Sequence, residues 1–390
     1  MNTHAETRTT SVHLYLRGIF GLLALALTSA ECAAFGLAPI PEEALETRWT
    51  DMVLNAISGS QGKLVEEYIK KFRSPVHEEI THLAYKCDDG VGECDRRVAN
   101  EKQRAPRYVL EGVQWNDNPP FQLSLGQARN APTCVGLPVQ LPNLWPGCWG
   151  QVFSTAAQLS APPGDHVIFG PESPILQRSH FGDMQFLHAM APDGELAFLT
   201  QRKIMAWARF VYEVSEGRIA ANAIVSTPAA GSGAQFFPPS VNSAYAKLDV
   251  TTLFTLGSSD ISPQRVKDMA FGSLLHIIED SFSKAHVQRE PAGKNGRRWP
   301  GRVEEFHSYA HQDHNLHSDA DGRAAFQAVD TKEVVIEAVR RVVDKRGAKW
   351  DEIEPILTEI FDVVDRGRPA GPGDEYKVKV SEPARDDQAP

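Results

Sequence analysis

The chain has 390 residues, 42% of them hydrophobic and 23% charged, which is too apolar for a disordered polymer and enough for one large domain or two small ones. Its 40 Lys plus Arg against 50 Asp plus Glu give a net charge of −10. That balance argues against a broad basic surface for duplex nucleic acid, but not against a local phosphate site whose positive charge comes from bound metal.

The first predicted element is a targeting signal. Arg17 precedes the apolar run GIFGLLALALTSA from Gly18 to Ala30, which suits a secretory signal and is too short to span a bilayer. Residues 1–34 are therefore read as a cleaved signal peptide and the protein as secreted or periplasmic, with an uncleaved membrane anchor as the alternative. Glu31 ahead of Cys32 speaks against a lipoprotein signal. Export leaves Cys87, Cys94, Cys134 and Cys148 in an oxidising compartment, where the short-loop pairs are Cys87 with Cys94 and Cys134 with Cys148. A zinc site made of these four is the alternative, although no CxxC is present.

Helical spacing follows over Met52 to Phe72, and Ser74 with Pro75 opens a second helix through SPVHEEITHLAYKC. Further helices are expected from Glu195 to Glu216, from Ser262 to about Ala285, from Lys332 to Lys345 and from Trp350 to Val364. Alternating β-branched runs are few, so the class is mainly α. One catalytic domain is expected over residues 35–365, with its ligands in a cleft between helices. Asn116 to Ser179 and Ser226 to Ser240 read as long irregular loops. The first of these is expected to be a substrate-facing lid, with a Cys134 to Cys148 bridge holding Trp145 and Trp149 over the cleft. Residues 366–390 lack apolar periodicity and read as a disordered tail.

The chemistry is concentrated in histidines. Of 13 in the chain, six lie between His276 and His317. In HIIEDSFSKAH, His276 and Asp280 stand one helical turn apart on one face, and His286 follows six residues later. His317 and Asp321 repeat the one-turn spacing, so more than one metal is expected. Imidazole with carboxylate and no thiolate suits zinc in a hydrolytic site. His77 in SPVHEEITHLA, Asp117 in QWNDNPP and His180 in RSHFGDMQF supply further donors. His82 is the alternative to His77, and His307 with His311 is an alternative pair. Zinc lowers the pKa of bound water to about 7, so no separate base is required, and Asp117 could also orient that water although a metal-bound carboxylate is a poor base. Trp115, Phe121, Trp145, Trp149 and Phe181 flank the donors, either as a face for a quaternary ammonium, as base-stacking platforms or as loop packing.

Taken in order, His77, WND ending at Asp117, SHF around His180, HxxxDxxxxxH from His276 to His286 and HxxxD from His317 resemble the superfamily of zinc-dependent phospholipase C and single-strand nucleases. The set covers about residues 75 to 321, and DSFSKAHVQR and FHSYAHQDHNLHSDAD look like segments of bacterial secreted phospholipases C. The resemblance implies a multi-helix fold around a metal cluster. It also implies one zinc held by Asp117, His180, His276 and Asp280, a second by His286, His317 and Asp321, and a third by His77 with Asp280 as a bridge, hence two or three Zn2+ per chain. The family's third ion also takes the backbone amine and carbonyl of an N-terminal Trp, whereas the Trp preceding His77 here is Trp49, 28 residues upstream. Asn118 stands where better-known phospholipases carry Tyr after the matched Asp.

The implied function is a secreted zinc phosphodiester hydrolase, a phospholipase C releasing diacylglycerol and a phosphorylated headgroup from phosphatidylcholine-type lipid at a membrane surface. Asp117 would be its catalytic carboxylate, and zinc-bound hydroxide its nucleophile. A single-strand nuclease or 3′-nucleotidase with the same metals is the alternative enzyme, and an extracellular zinc-binding protein the non-enzymatic one. No stable protein partner is expected.

Overall fold

In chain order the helices are α1 Val76–Ala84, α2 Arg107–Val113, α3 Pro146–Ser160, α4 Ile175–Phe181, α5 Ala197–Ser215, α6 Val250–Thr255, α7 Pro263–Asp280, α8 His314–Ala320, α9 Arg323–Phe326, α10 Val329–Val343 and α11 Trp350–Ile360. Two short antiparallel ribbons accompany them: β1 Phe121–Gln122 with β2 Pro138–Val139, and β3 Val287–Arg289 with β4 Val303–Phe306. This computed structural model describes residues 76–87, 105–127, 132–140, 146–160, 167–239, 245–291 and 300–378, and the class is mainly α. The expected signal peptide, the expected helix from Met52 to Phe72, Cys94 and Trp145 lie outside the described residues. No helix among the described residues is long and apolar enough to cross a membrane.

Helix α7 is the axis. Ser262 caps it, its Oγ accepting the Arg265 N–H at 3.4 Å, and Pro263 occupies the first turn, where its missing N–H costs nothing. Every residue from Asp268 to Asp280 is buried, because α2, α5, α10, α6 and α1 surround the helix. The crossing with α2 is at backbone distance. A Cβ on Gly272 would stand 2.2 Å from the Val109 carbonyl oxygen, and one on Gly112 would stand 2.3 Å from that of Met269. Two glycines thus let α2 approach closely enough to bring the chain after it, with Asp117, beside His276. Trp115 and Trp207 fill the adjoining core with their rings 5.8 Å apart, Trp115 donating to the Leu253 carbonyl and Trp207 to Ser273 Oγ.

α7 stops at Asp280 rather than continuing to Ala285. The buried Arg289 secures the reversal: its guanidinium donates to the Ser281 carbonyl at the end of α7, to the Ile360 carbonyl at the end of α11 and to the Gly301 carbonyl. A cation against two helix C-termini is favourable, although burial pulls its pKa down to about 9.

Three sequence expectations are corrected. The span from Asn116 to Ser179 is not one irregular loop, since it contains α3 and α4. α3 has a weak helical signature, since PGCWGQVFSTAAQLS combines two glycines with a weak apolar stripe, and it is anchored by the Cys134–Cys148 disulfide and by packing on α4. Within Ser226 to Ser240, 3-10 turns run over Pro228–Phe236 and bury Phe236. Residues 366–378 are not a free tail: Arg366 and Arg368 carbonyls accept from Phe198 and Ala197, and Ala370 exchanges backbone bonds with Gly194 and Glu195. Backbone hydrogen bonds, which need no apolar periodicity, hold the strap. Cys87 is also disulfide-bonded.

Candidate metal centre

Five segments converge on the end of α7. Asn116 fixes two of them. Its amide donates to the Leu187 carbonyl at 2.7 Å and to the Ser273 carbonyl at 3.2 Å, while its oxygen accepts from Ser273 Oγ at 2.6 Å. This bolts the turn carrying Asp117 and the 3-10 turn Gln185–His188 onto α7.

Among the described residues, three groups of side chains could each hold a metal ion: His77, His276 and Asp280; Asp117, His188 and His276; and His286, His317 and Asp321. All are buried. Asp280 is their junction. Its Oδ1 lies 3.3 Å from His77 Nε2 and 3.5 Å from His286 Nδ1, and its Oδ2 lies 2.8 Å from His276 Nε2 and 2.9 Å from His188 Nδ1. Asp117 reaches the same space, 3.5 Å from His188 Nδ1 and 3.8 Å from His276 Nδ1. In the third group, Asp321 Oδ2 stands 2.8 Å from His317 Nε2, one helical turn away, and 3.2 Å from His286 Nε2.

Several of the imidazoles are oriented from behind. His276 Nδ1 donates to the Val113 carbonyl at 2.7 Å, and His77 Nδ1 to Glu279 Oε2 at 2.7 Å, with Thr81 Oγ1 holding the other Glu279 oxygen at 2.6 Å. His317 Nδ1 donates to Gln312 Oε1 at 2.6 Å. In each case Nδ1 is engaged from behind and Nε2 is the nitrogen turned to the cluster, the arrangement that supporting hydrogen bonds give metal-binding histidines.

The donor set fits cations. Asp117, Glu279, Asp280 and Asp321 are all within 1% of complete burial, and no Lys or Arg among the described residues reaches them. So many buried carboxylates without a permanent cation would be costly. Both Asp117 oxygens, Asp280 Oδ1, His188 Nε2, His286 Nδ1 and His317 Nε2 are buried with no hydrogen-bond partner, so inward-facing ligand atoms are left for something not supplied by the protein. Burial pulls the His188 imidazole down to about 4 and lowers His180 and His276 as well, so these rings are neutral donors at neutral pH. Burial works against ionised Asp280, yet His276 and His286 outweigh it and hold the carboxyl well below the usual range. Burial pushes Asp117 up, and Asp280 adds to the effect against the pull of His77.

The structure brings together seven of the eight donors expected from the sequence: His77, Asp117, His276, Asp280, His286, His317 and Asp321. His180 stands outside the three groups, its ring 4.7 Å from that of His188 and its Nδ1 3.0 Å from the Leu176 carbonyl. His188, assigned no role from the sequence, takes the inner position. It gets there through the 3-10 turn and Ala189, which adopts a left-handed φ of 51°; its burial in an apolar segment, QFLHAMA, was the available signal. His82 lies on α1 away from the groups, and His307 points Nδ1 to the Ala285 carbonyl at 3.0 Å.

The aromatic expectations divide. Trp115 belongs to the core. Trp149 is 4% exposed and stacks on Phe153 at 4.8 Å, so it is packed inside rather than held over the cluster as a lid. Phe153 meets His180 edge-on at 5.1 Å, and Tyr309 lies 4.8 Å from His317, giving the cluster an aromatic flank. Comparison of the chain with protein families, with curated proteins and with solved structures returns no match.

Proposed function

We propose that the chain is a zinc-dependent phosphodiester hydrolase of the phospholipase C type, exported from the cell, with two or three Zn2+ held by the three groups. The observation that carries this reading is the meeting of the three His/Asp groups at Asp280, an asymmetric arrangement that storage of an ion would not need. Zinc bound there supplies positive charge to phosphoryl oxygens and an acidified water.

The chain's own contribution is positional. Glu279, Val113 and Gln312 keep the Nδ1 protons of His77, His276 and His317 away from the cluster, leaving Nε2 to bind. Asp117, with both oxygens directed inward and without hydrogen-bond partners, is suited to orient a water or accept its proton. The aromatic flank of Phe153, Phe181 and Tyr309 excludes water from one side of that space.

Phosphatidylcholine vesicles and single-stranded DNA, each offered to the purified protein, separate lipid from nucleic-acid chemistry. The expected result is release of phosphocholine, abolished by chelation and restored by zinc. Hydrolysis of DNA alone would replace the lipid reading with a nuclease, and hydrolysis of neither with bound zinc would favour a binding protein.

A further inference from the structure

We infer that Gln312 is the positioning residue for the His286, His317 and Asp321 group, and that the C-terminal strap, residues 369–378, holds it in place. This inference rests on the metal-binding reading above and goes beyond it by assigning control of one ion to residues that bind none.

The amide of Gln312 admits one orientation. Its Nε2 lies 2.8 Å from the Ala285 carbonyl and 2.8 Å from the Pro372 carbonyl, both of which can only accept. The NH2 must therefore face them, which turns Oε1 toward His317 Nδ1 at 2.6 Å. A carbonyl-type oxygen at that place requires a proton on Nδ1, so the lone pair is fixed on Nε2, toward Asp321. The same side chain also controls the second imidazole, because Ala285 immediately precedes His286 and its carbonyl accepts from Gln312 and His307 together.

The strap supplies half of this arrangement. Pro372 provides one of the two carbonyls, Asp313 N–H donates to the Tyr376 carbonyl at 2.6 Å, Val378 N–H to that of His311 at 3.0 Å, and Ser308 N–H to that of Gly371 at 2.7 Å. Asp313 in turn caps α8, which carries His317. Gly373 makes the close approach possible, since at φ 76° a Cβ would stand 2.6 Å from the His307 ring. Gln312 itself is 3% exposed, so water does not replace its bonds freely.

The test is zinc titration of the metal-stripped full-length protein against a chromophoric chelator, with stoichiometry and affinity read together. Gln312→Leu should weaken one ion about 10- to 100-fold and leave the remainder near wild type, the range found for supporting partners of metal ligands. Gly373→Ala, which displaces the strap without touching Gln312, should weaken the same ion by a smaller factor and serves if the first variant does not fold. Gln201→Leu is the control, because it removes a comparable amide donating to the Phe361 carbonyl at 2.9 Å, away from the cluster. Its zinc affinities should not change. Unchanged zinc affinity in Gln312→Leu and Gly373→Ala overturns the proposal, as does equal weakening in Gln201→Leu, which would make the effect one of general stability. A wild-type protein that binds no zinc would overturn the metal reading itself.

Discussion

At the helical end of the cluster, His276 is oriented by a backbone carbonyl, that of Val113, on a helix packed at glycine distance. At the opposite end, His317 on α8 is oriented by a side-chain amide that depends on a strap about 60 residues further along the chain. The first arrangement is insured by the core, because Val113 cannot move without opening the α2 and α7 contact. The second rests on single hydrogen bonds made by one side chain and by the strap, each worth about 1 kcal/mol. The two ends should therefore fail differently.

The largest effect is expected where the ends meet. Asp280→Asn removes charge from a carboxylate that faces His77, His188, His276 and His286, and should lower turnover by more than about 100-fold in steady-state assays. Asp321→Asn disturbs only the group of His286, His317 and Asp321 and should cost less. An equal or greater loss in Asp321→Asn would mean that Asp280 is not the junction.

Next comes the packed indole behind the aromatic flank. Trp149→Ala should destabilise the fold by about 3–5 kcal/mol in denaturant unfolding, as expected for a buried indole. Hydrolysis of aggregated lipid and of a soluble phosphodiester should then fall together. A selective loss on aggregated lipid would reinstate a lid.

How much of this could be read in advance follows from the same contrast. The two one-turn HxxxD spacings are local, and a helix turns them directly into contacts of 2.8 Å. Ser262 with Pro263 likewise announces α7. For His188 the apolar run QFLHAMA is the one signal, and it assigns no role, because a 3-10 turn and a left-handed Ala189 place the ring and neither has a periodic signature. Glu279 and Gln312 were illegible for another reason: they act on residues 202 and 5 positions away through single hydrogen bonds that no spacing encodes. The strap has low apolar content, which reads as freedom in the sequence, yet its carbonyls and N–H groups are paired with Glu195, Ser308, His311 and Gln312.

A smaller effect is expected at the glycine crossing. Gly272→Ala forces a Cβ against the Val109 carbonyl and should destabilise by about 1–3 kcal/mol, with activity falling only as the folded fraction falls. The smallest concerns the entry to the same helix pair, where Tyr108 on α2 donates to Asp260 and pulls its carboxyl down to about 2. A depressed carboxyl contributes stability that is complete above its ordinary value near 4 and disappears as pH falls through about 2. Tyr108→Phe should thus lower the melting temperature slightly at neutral pH and make no difference below about pH 2. A difference that grows on acidification would contradict this assignment.

The central claim is that the buried donors hold catalytic zinc, and diffraction data collected on either side of the zinc absorption edge test it most directly. At least two anomalous peaks per chain are expected, one among Asp117, His188, His276 and Asp280 and one among His286, His317 and Asp321. A protein that hydrolyses phosphodiesters at full rate while crystals of the same preparation show no transition-metal peak at either place would contradict the account.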